Sequence, residues 1–183
     1  MGSLGSDLGA ETNPISNKMK NPGLILTAAM AAFGGTTQGF VGKPDPKMTT
    51  ISKELTVRDI DVYRVMLREW LDAIAIVESN NNDEAVGDDG MALGAYQIHE
   101  AYWEDASDVC SQLGGEYKDV VNREYAERIV VCYMLRYCRN HVELKDYRRM
   151  SRVHNGGPRG HNKQSTVAYW AKVRLEIVIR RSF

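Results

Sequence analysis

The stretch from Leu67 to Ser79, LREWLDAIAIVES, carries the strongest structural signal in this chain of 183 residues. Its apolar residues recur at the spacing of one helix face, and they are Leu67, Trp70, Leu71, Ile74 and Val77. Glu78 lies one turn beyond Ile74, at the edge of that face. The asparagines 80–82 then break the pattern. The sequence therefore predicts an apolar helix with a carboxylate at its C-terminal end.

The rest of the domain is predicted to be mostly helical, of the α+β class. Residues 83–98 contain several glycine turns, which favour a small β-hairpin. Further helices are predicted at Ala101–Cys110, Arg123–Asn140 and Thr166–Ile179. The tetrapeptide Asn155-Gly156-Gly157-Pro158 predicts a turn. A hydrophobic content of 43% is enough for a sizeable core.

The N-terminal part predicts export from the cell. Lys18 and Lys20 precede a short apolar run at residues 23–33, followed by small residues, which is the pattern of a signal peptide. That run is too short to cross a bilayer comfortably. N-myristoylation at Gly2 and a retained signal anchor are the alternatives. We assign residues 1–47 to an N-terminal extension and 48–183 to the folded domain.

Charge is distributed unevenly, although the net charge is −1. Residues 69–117 hold 12 Asp and Glu with no Lys or Arg, whereas residues 118–183 hold 15 Lys and Arg against 6 Asp and Glu. We expect the two halves to pair across the fold. The alternative is a basic surface that attracts anionic polymers, such as bacterial walls or nucleic acid. No aromatic-rich RNA motif or zinc-finger spacing supports nucleic acid.

The three cysteines, Cys110, Cys132 and Cys138, contain no C-x-x-C pair, which argues against zinc and thioredoxin-like sites. Cys132 and Cys138 are six residues apart on a predicted helix and face different sides. Cys110 is therefore free to pair with either, and at least one thiol remains.

Two carboxylates in different environments are what glycosidic-bond cleavage requires. Glu78, against apolar residues, is the candidate for the protonated group. The turn Gly87-Asp88-Asp89-Gly90 offers the ionised one. Aspartate before glycine is also ordinary turn chemistry, and Asp83 and Glu84 are further candidates.

Two other segments are candidates for ligand binding. Gln97, with Tyr96, lies in the short apolar run Ala95–Ile98, where its amide needs a partner, either a sugar or the backbone. The motif from His154 to His161 contains three glycines and a proline, which let a backbone approach a ligand closely. No second ligand stands four residues from His154, so we predict no metal. A Ser151–His154 nucleophilic pair is the weaker alternative, because no nucleophile elbow is present.

These motifs together resemble a known family. They are Val77-Glu78-Ser79, Asp88-Asp89-Gly90, Gly94-Ala95-Tyr96-Gln97-Ile98, Ala101-Tyr102-Trp103, Arg152-Val153-His154-Asn155-Gly156-Gly157-Pro158 and Tyr169-Trp170. Their order over residues 70–174 resembles the invertebrate-type (i-type, destabilase-like) lysozymes and related bacterial lysozyme-like proteins. The resemblance implies a lysozyme-like fold, with the small β-hairpin region beside the catalytic helix.

The resemblance also implies an activity, hydrolysis of the β-1,4 bond between N-acetylmuramic acid and N-acetylglucosamine. It makes Glu78 the acid and Asp88 the second carboxylate, with Asp89 a rival because the loop is shorter than usual. Animal i-type enzymes are rich in disulfides, and this chain departs from them with three cysteines. Some members cleave isopeptide bonds, which would here involve His154 and a serine such as Ser151.

We therefore predict a secreted, antibacterial (bacteriolytic) lysozyme, a glycoside hydrolase acting on peptidoglycan or a related amino-sugar polymer. The predicted cleft residues are Tyr96, Gln97, His154, Asn155 and Gly156. No cofactor, metal, nucleic acid or stable membrane insertion after signal removal is expected. The alternatives are a lytic transglycosylase with one acid/base glutamate and a non-catalytic cell-wall-binding protein.

Overall fold

A computed structural model of the chain describes residues 55–183. The predicted signal peptide, the myristoylation motif and the proposed boundary between residues 47 and 48 lie outside the described residues. Within residues 55–183, no helix combines the length and the apolar character needed to cross a membrane.

Helices make up most of the described chain. They are α1 Val57–Met66, α2 Arg68–Ser79, α3 Glu100–Ser107, α4 Arg123–Glu143, α5 Tyr147–Gly156 and α6 Thr166–Arg180, with short 3-10 helices at Asp88–Gly90, Ser111–Leu113, Tyr117–Val121 and Gly160–Asn162. The mostly helical prediction is confirmed. The helices predicted near α3, α4 and α6 are present, with ends that differ by at most three residues. Helix α5 was not predicted.

Both ends of the α1–α2 segment follow from local chemistry. Thr56 caps α1, because its side chain accepts the backbone N–H of Asp59 while the Asp59 carboxylate accepts the Thr56 N–H. The helical pattern from Val57 is split at Leu67, which leaves the helical region with ψ 10°. Helix α2 ends at Asn80, which adopts the left-handed conformation (φ 55°), so the predicted break is confirmed.

A small antiparallel sheet follows α2, as the sequence predicts. Its strands are β1 Val86–Gly87, β2 Ala92–Leu93 and β3 Ile98–His99, hydrogen-bonded in the order β1-β2-β3. Leu93 lies opposite both Val86 and Ile98, which fixes the register. The turn between β1 and β2 holds Asp88 and Asp89, both with positive φ.

The hydrophobic core surrounds α2, where Trp70, Leu71 and Ile74 are fully buried. Helix α2 packs against α6, α4 packs against α3 and α5, and α5 packs against α6. Burying one such large apolar side chain stabilises a fold by about 1.5–3 kcal/mol. The core therefore fixes the direction in which the last turn of α2 points.

One disulfide reinforces this core. Cys110, just after α3, is bonded to Cys132 on α4, and Cys138 is a buried free thiol. This is one of the two pairings that the sequence leaves open.

The expected pairing between the acidic and basic halves is present. Arginines from residues 118–183 form ion pairs with carboxylates from residues 69–117, and these pairs are Arg123–Asp83, Arg136–Asp105, Arg136–Asp108, Arg180–Asp72 and Arg181–Glu69. The Lys and Arg residues between 139 and 174 are an exception, since none of them forms an ion pair with Asp or Glu in the described part of the chain.

A buried carboxylate joins three helices. Glu127 on α4 is 2% exposed. Its carboxylate accepts hydrogen bonds from Arg64 on α1 (2.8 Å) and Arg68 on α2 (2.6 Å for each of two contacts). It also accepts the Tyr96 hydroxyl at 3.1 Å, just before β3. Burial alone would raise the pKa of Glu127, but the hydrogen bonds from Arg68 and Arg64 outweigh it and hold that pKa below its usual value.

Replacing Glu127 with alanine should lower the free energy of unfolding by about 3 kcal/mol, because two arginines would lose a buried partner. We place the loss at the low end of the usual range because Arg68 keeps some contact with water. Glu124→Ala, three residues earlier on α4 and exposed, is the matched control and should cost less than about 1 kcal/mol. Urea denaturation measures both, and equal losses would contradict a special role for Glu127.

Asp61 on α1 makes stability depend on acid pH. The hydrogen bond from Arg128 lowers the pKa of Asp61 from 3.8 to about 2, with burial opposing it and Arg64 adding to it. Because the folded pKa lies below the unfolded one, this stabilisation is fully present above pH 3.8 and is lost as pH falls through about 2. Asp61→Asn should therefore flatten the fall in unfolding free energy over that window. An unchanged slope in denaturation at stepped pH would refute this assignment.

Candidate active site

Glu78 lies in the last turn of α2 with its side chain 18% exposed. The next residue, Ser79, fixes this end of the helix: its hydroxyl is 3.1 Å from the Ala75 carbonyl and 3.0 Å from the Ala95 carbonyl, and it accepts the Asn82 N–H. The end of α2 is therefore tied to the segment between β2 and β3, and the position of Glu78 follows from that tie.

His154, in the last turn of α5, approaches Glu78. Its Nε2 atom is 3.5 Å from Oε1 of Glu78, and its Nδ1 atom is 3.0 Å from the Tyr102 hydroxyl on α3. The imidazole side chain is 4% exposed. Both ring nitrogens therefore have polar neighbours, which fixes the plane of the ring.

Three aromatic rings surround the His154 imidazole. Trp70 and Tyr102 meet it edge to face, with ring centroids at 6.3 Å and 5.4 Å, and Tyr169 lies at 6.4 Å. Burial, and then the nearby Glu78 charge, raise the pKa of Tyr169 well above its usual value. Glu78 and His154 therefore meet inside an aromatic wall contributed by α2, α3 and α6. A carboxyl and an imidazole in contact are groups that can donate and accept protons.

Asp88 occupies a separate contact on the sheet. Its Oδ2 atom is 2.9 Å from Nε2 of His99 on β3, and its side chain is 15% exposed. Asp89 is exposed and makes no side-chain contact within residues 55–183. Asp83 is engaged by Arg123 at 2.5 Å, and Glu84 is exposed. Asp88 differs from the other candidates for the second carboxylate. His99 holds its side chain, and no arginine in the described residues forms an ion pair with it.

The structure places Tyr96 and Gln97 differently from the predicted cleft positions. Tyr96 is fully buried and its hydroxyl donates to Glu127, so its side chain supports the core. Gln97 is half-buried, with positive φ, and its amide donates to the backbone carbonyls of Ala85 and Gly94. Its Oε1 occupies the space where a side chain on Gly87 would lie. Of the two partners that the sequence allowed for Gln97, the structure shows the backbone.

The glycine motif after His154 is the C-terminal end of α5 followed by a tight loop. Asn155 is half-buried, and its side-chain amide makes no hydrogen bond within the described range. The Gly156 carbonyl accepts Lys163 Nζ at 2.6 Å. Gly157 ends the helix with φ 77°, a conformation that favours glycine. Asn155 is therefore the predicted cleft residue whose polar group remains free for a ligand.

Ser151 does not form a pair with His154. It is fully buried, accepts the Trp70 indole N–H at 2.9 Å and donates to the Tyr147 carbonyl at 2.7 Å. The Ser151–His154 alternative is therefore not supported, since the hydroxyl is engaged in packing α5 against α2.

Sequence reasoning missed the aromatic wall of His154. Tyr102 and Tyr169 entered the sequence analysis only as parts of the family motifs, and Tyr169 is buried in the core. The regular recurrence of Met150, Val153 and His154 was a signal for α5, but glycine and proline at its end favoured a turn. Among residues 55–183, no group of three or more His, Cys, Asp or Glu is arranged to hold a metal ion.

The family model for destabilase matches residues 68–175, from the start of α2 to most of α6. The chain belongs to the destabilase family. The family match and the elements described above support the lysozyme-like fold.

Relatives of this destabilase-family chain are named lysozymes. It is 36% identical over 86 residues to Lysozyme 1 of Crassostrea virginica, covering 46% of this chain and 45% of that protein. It is 40% identical over 87 residues to a lysozyme of Magallana gigas, covering 46% and 60%. The match thus spans about half the length of these relatives.

One solved structure is also similar to this destabilase-family chain. A chain in the crystal structure of Aeromonas hydrophila PliI in complex with Meretrix lusoria lysozyme matches with 30% identity and a TM-score of 0.49. That match covers 59% of this chain and 88% of the other.

Proposed function

We propose that this protein is a peptidoglycan muramidase, a lysozyme that hydrolyses the β-1,4 bond between N-acetylmuramic acid and N-acetylglucosamine. The observation that carries the proposal is the placement of Glu78, a mostly buried carboxylate on the last turn of an apolar helix, beside the enclosed His154. The names of the relatives support the choice of substrate.

In the proposed reaction, Glu78 gives its proton to the glycosidic oxygen as the bond from that oxygen to the anomeric carbon breaks. Asp88 stabilises the positive charge that develops on the sugar, or attacks it as a nucleophile. Water supplies the hydroxyl of the new reducing end, and its remaining proton returns to Glu78. The two carboxylates have suitably different surroundings, since Glu78 lies against an imidazole and aromatic rings and Asp88 lies in a polar turn.

His154 acts as a positioning residue in this proposal. Tyr102 holds one ring nitrogen, so the other is directed at Glu78. A fixed imidazole restricts the rotamers of the carboxyl group, which keeps the proton aimed at one point. Asn155, whose amide is free, is proposed to bind a sugar substituent at the edge of the same site.

We also propose that the protein is secreted, because its substrate lies outside the cell membrane and the N-terminal pattern is that of a signal peptide.

Glu78→Gln keeps the shape of the side chain but removes its proton, so kcat should fall by roughly 10²- to 10⁴-fold. Glu84→Gln, an exposed glutamate in the next loop, is the matched control and should retain activity. Turbidity loss of a peptidoglycan suspension measures the rate, and circular dichroism checks that both variants are folded. Near-normal lysis by the Glu78→Gln variant would contradict the proposal.

Asp88→Asn tests the second carboxylate, with Asp89→Asn as the neighbouring control. A muramidase should lose most of its rate with the first change and little with the second, because Asp89 is exposed and without a partner in the described chain. Mass spectrometry of the soluble products gives an independent check, since hydrolysis yields reducing ends. Anhydro ends, with a nearly silent Asp88→Asn, would instead identify a lytic transglycosylase.

A further inference from the structure

The positive charge of the domain is concentrated in one segment of the chain, which contains α5. Residues 139–174 hold nine Lys and Arg against two Asp and Glu. None of the nine forms an ion pair with a carboxylate in the described chain, whereas arginines such as Arg123 and Arg180 are paired across the fold. One of the two acids, Asp146, contacts His141 at 3.0 Å. The charge of this region is therefore not neutralised by the protein itself.

The central members of this cluster are Arg148, Arg149, Arg152, Arg159 and Lys163, which we call the α5 basic surface. Arg152 donates to the Lys163 carbonyl and to the Thr166 hydroxyl, both at 2.9 Å. Lys163 donates to the Gly156 carbonyl. These bonds join the loop after α5 to the helix, so Arg152 and Lys163 are held close together.

The positive charges of the α5 basic surface act on a neighbouring histidine, His161. Arg149 Nη2 lies 3.0 Å from Nε2 of His161, an imidazole and not a carboxylate. Burial, and then the charges of Arg149 and Arg152, lower the pKa of His161. Arg148 and Arg159 are exposed and make no contact with another side chain in the described residues. A field of this kind attracts a polyanion, even though the whole chain has a net charge of −1.

The composition of the surface favours one kind of polyanion. Arginine and lysine bind phosphate groups well, arginine through its planar fork. Residues 148–163 contain no Phe, Tyr or Trp, so they offer no platform on which nucleic-acid bases would stack. A polymer recognised by its charged backbone alone fits this surface better than a nucleic acid does.

We propose that the α5 basic surface binds a phosphodiester polymer attached to bacterial walls. Arg152 is two residues from His154 on the same helix, about 200° around its axis, so this surface lies on a different side of α5 from the Glu78 site. A wall polymer bound to Arg152 and the loop would therefore hold the protein on the wall without occupying that site. Binding of the polyanion to this surface does not require hydrolysis at the Glu78 site. The choice of a wall-bound polymer rests on the proposed function.

The test compares the full chain with the double variant R148Q/R159Q. Both arginines are exposed, so their removal should leave the fold intact. R58Q/K118Q is the control, because it also removes two exposed positive charges: Arg58 on α1, and Lys118 in the 3-10 helix before α4, whose ion pair with Glu116 lies in solvent. Binding of inorganic polyphosphate is measured by fluorescence polarisation between roughly 50 and 200 mM salt.

We expect R148Q/R159Q to weaken polyphosphate binding about tenfold at low salt and to reduce the salt slope by about 1.5. R58Q/K118Q should bind like the native chain. Glu78→Gln should also bind normally, which separates this proposal from the proposed hydrolysis. Equal weakening by the control variant, or no binding at all, would overturn the proposal.

The wall-bound source is tested by pelleting. Walls that carry phosphodiester polymers should retain the protein better than the same walls after chemical removal of those polymers, and R148Q/R159Q should abolish the difference. Equal retention on both kinds of wall would contradict the proposal. Tighter binding to single-stranded DNA than to polyphosphate with the same number of phosphates would also overturn it, in favour of a nucleic-acid partner.

Discussion

The buried carboxylate of Glu127 is the constraint on which the rest of the domain depends. An ionised group with so little access to water is tolerated only if its oxygens are fully hydrogen-bonded. Arg64, Arg68 and Tyr96 meet that need from three separate segments. The hydrogen bonds to this one carboxylate therefore hold α1, α2 and the segment just before β3 against α4. The orientation of α2 that results is what directs Glu78 towards His154.

The sheet and the helical core contribute unequally to the site. Helices α2, α3, α5 and α6 supply the enclosed part, where Glu78 and His154 meet among aromatic rings. The sheet, with only two residues in each strand, holds Asp88 in a polar turn. The aromatic wall and this short, irregular turn are two different electrostatic environments, and the proposed two-carboxylate reaction depends on such a difference.

The features that depend on only a few neighbouring residues were predictable from the sequence. The apolar spacing of α2 and the asparagines after it were sufficient, because helix periodicity and a left-handed cap act within a few residues. The roles of Glu127 and Tyr96 were not predictable in this way. The arginines that bond Glu127 lie 59 and 63 residues away, and a single charged residue in a helix resembles a solvated one. The same holds for His154, whose neighbours come from three other helices, α2, α3 and α6.

In the turn between β1 and β2, the backbone conformation favours glycine, whereas the proposed reaction requires a carboxylate. Asp88 and Asp89 both adopt left-handed φ angles, of 47° and 54°; this conformation costs a residue with a side chain roughly 1–2 kcal/mol and is tolerated better by Asn and Asp than by other such residues. Glycine at either position would relieve that cost and leave the chain path unchanged. In a laboratory selection for thermal stability alone, glycine would therefore spread at residue 88. In a selection that also demanded wall lysis, the aspartate would persist if its carboxylate takes part in the reaction.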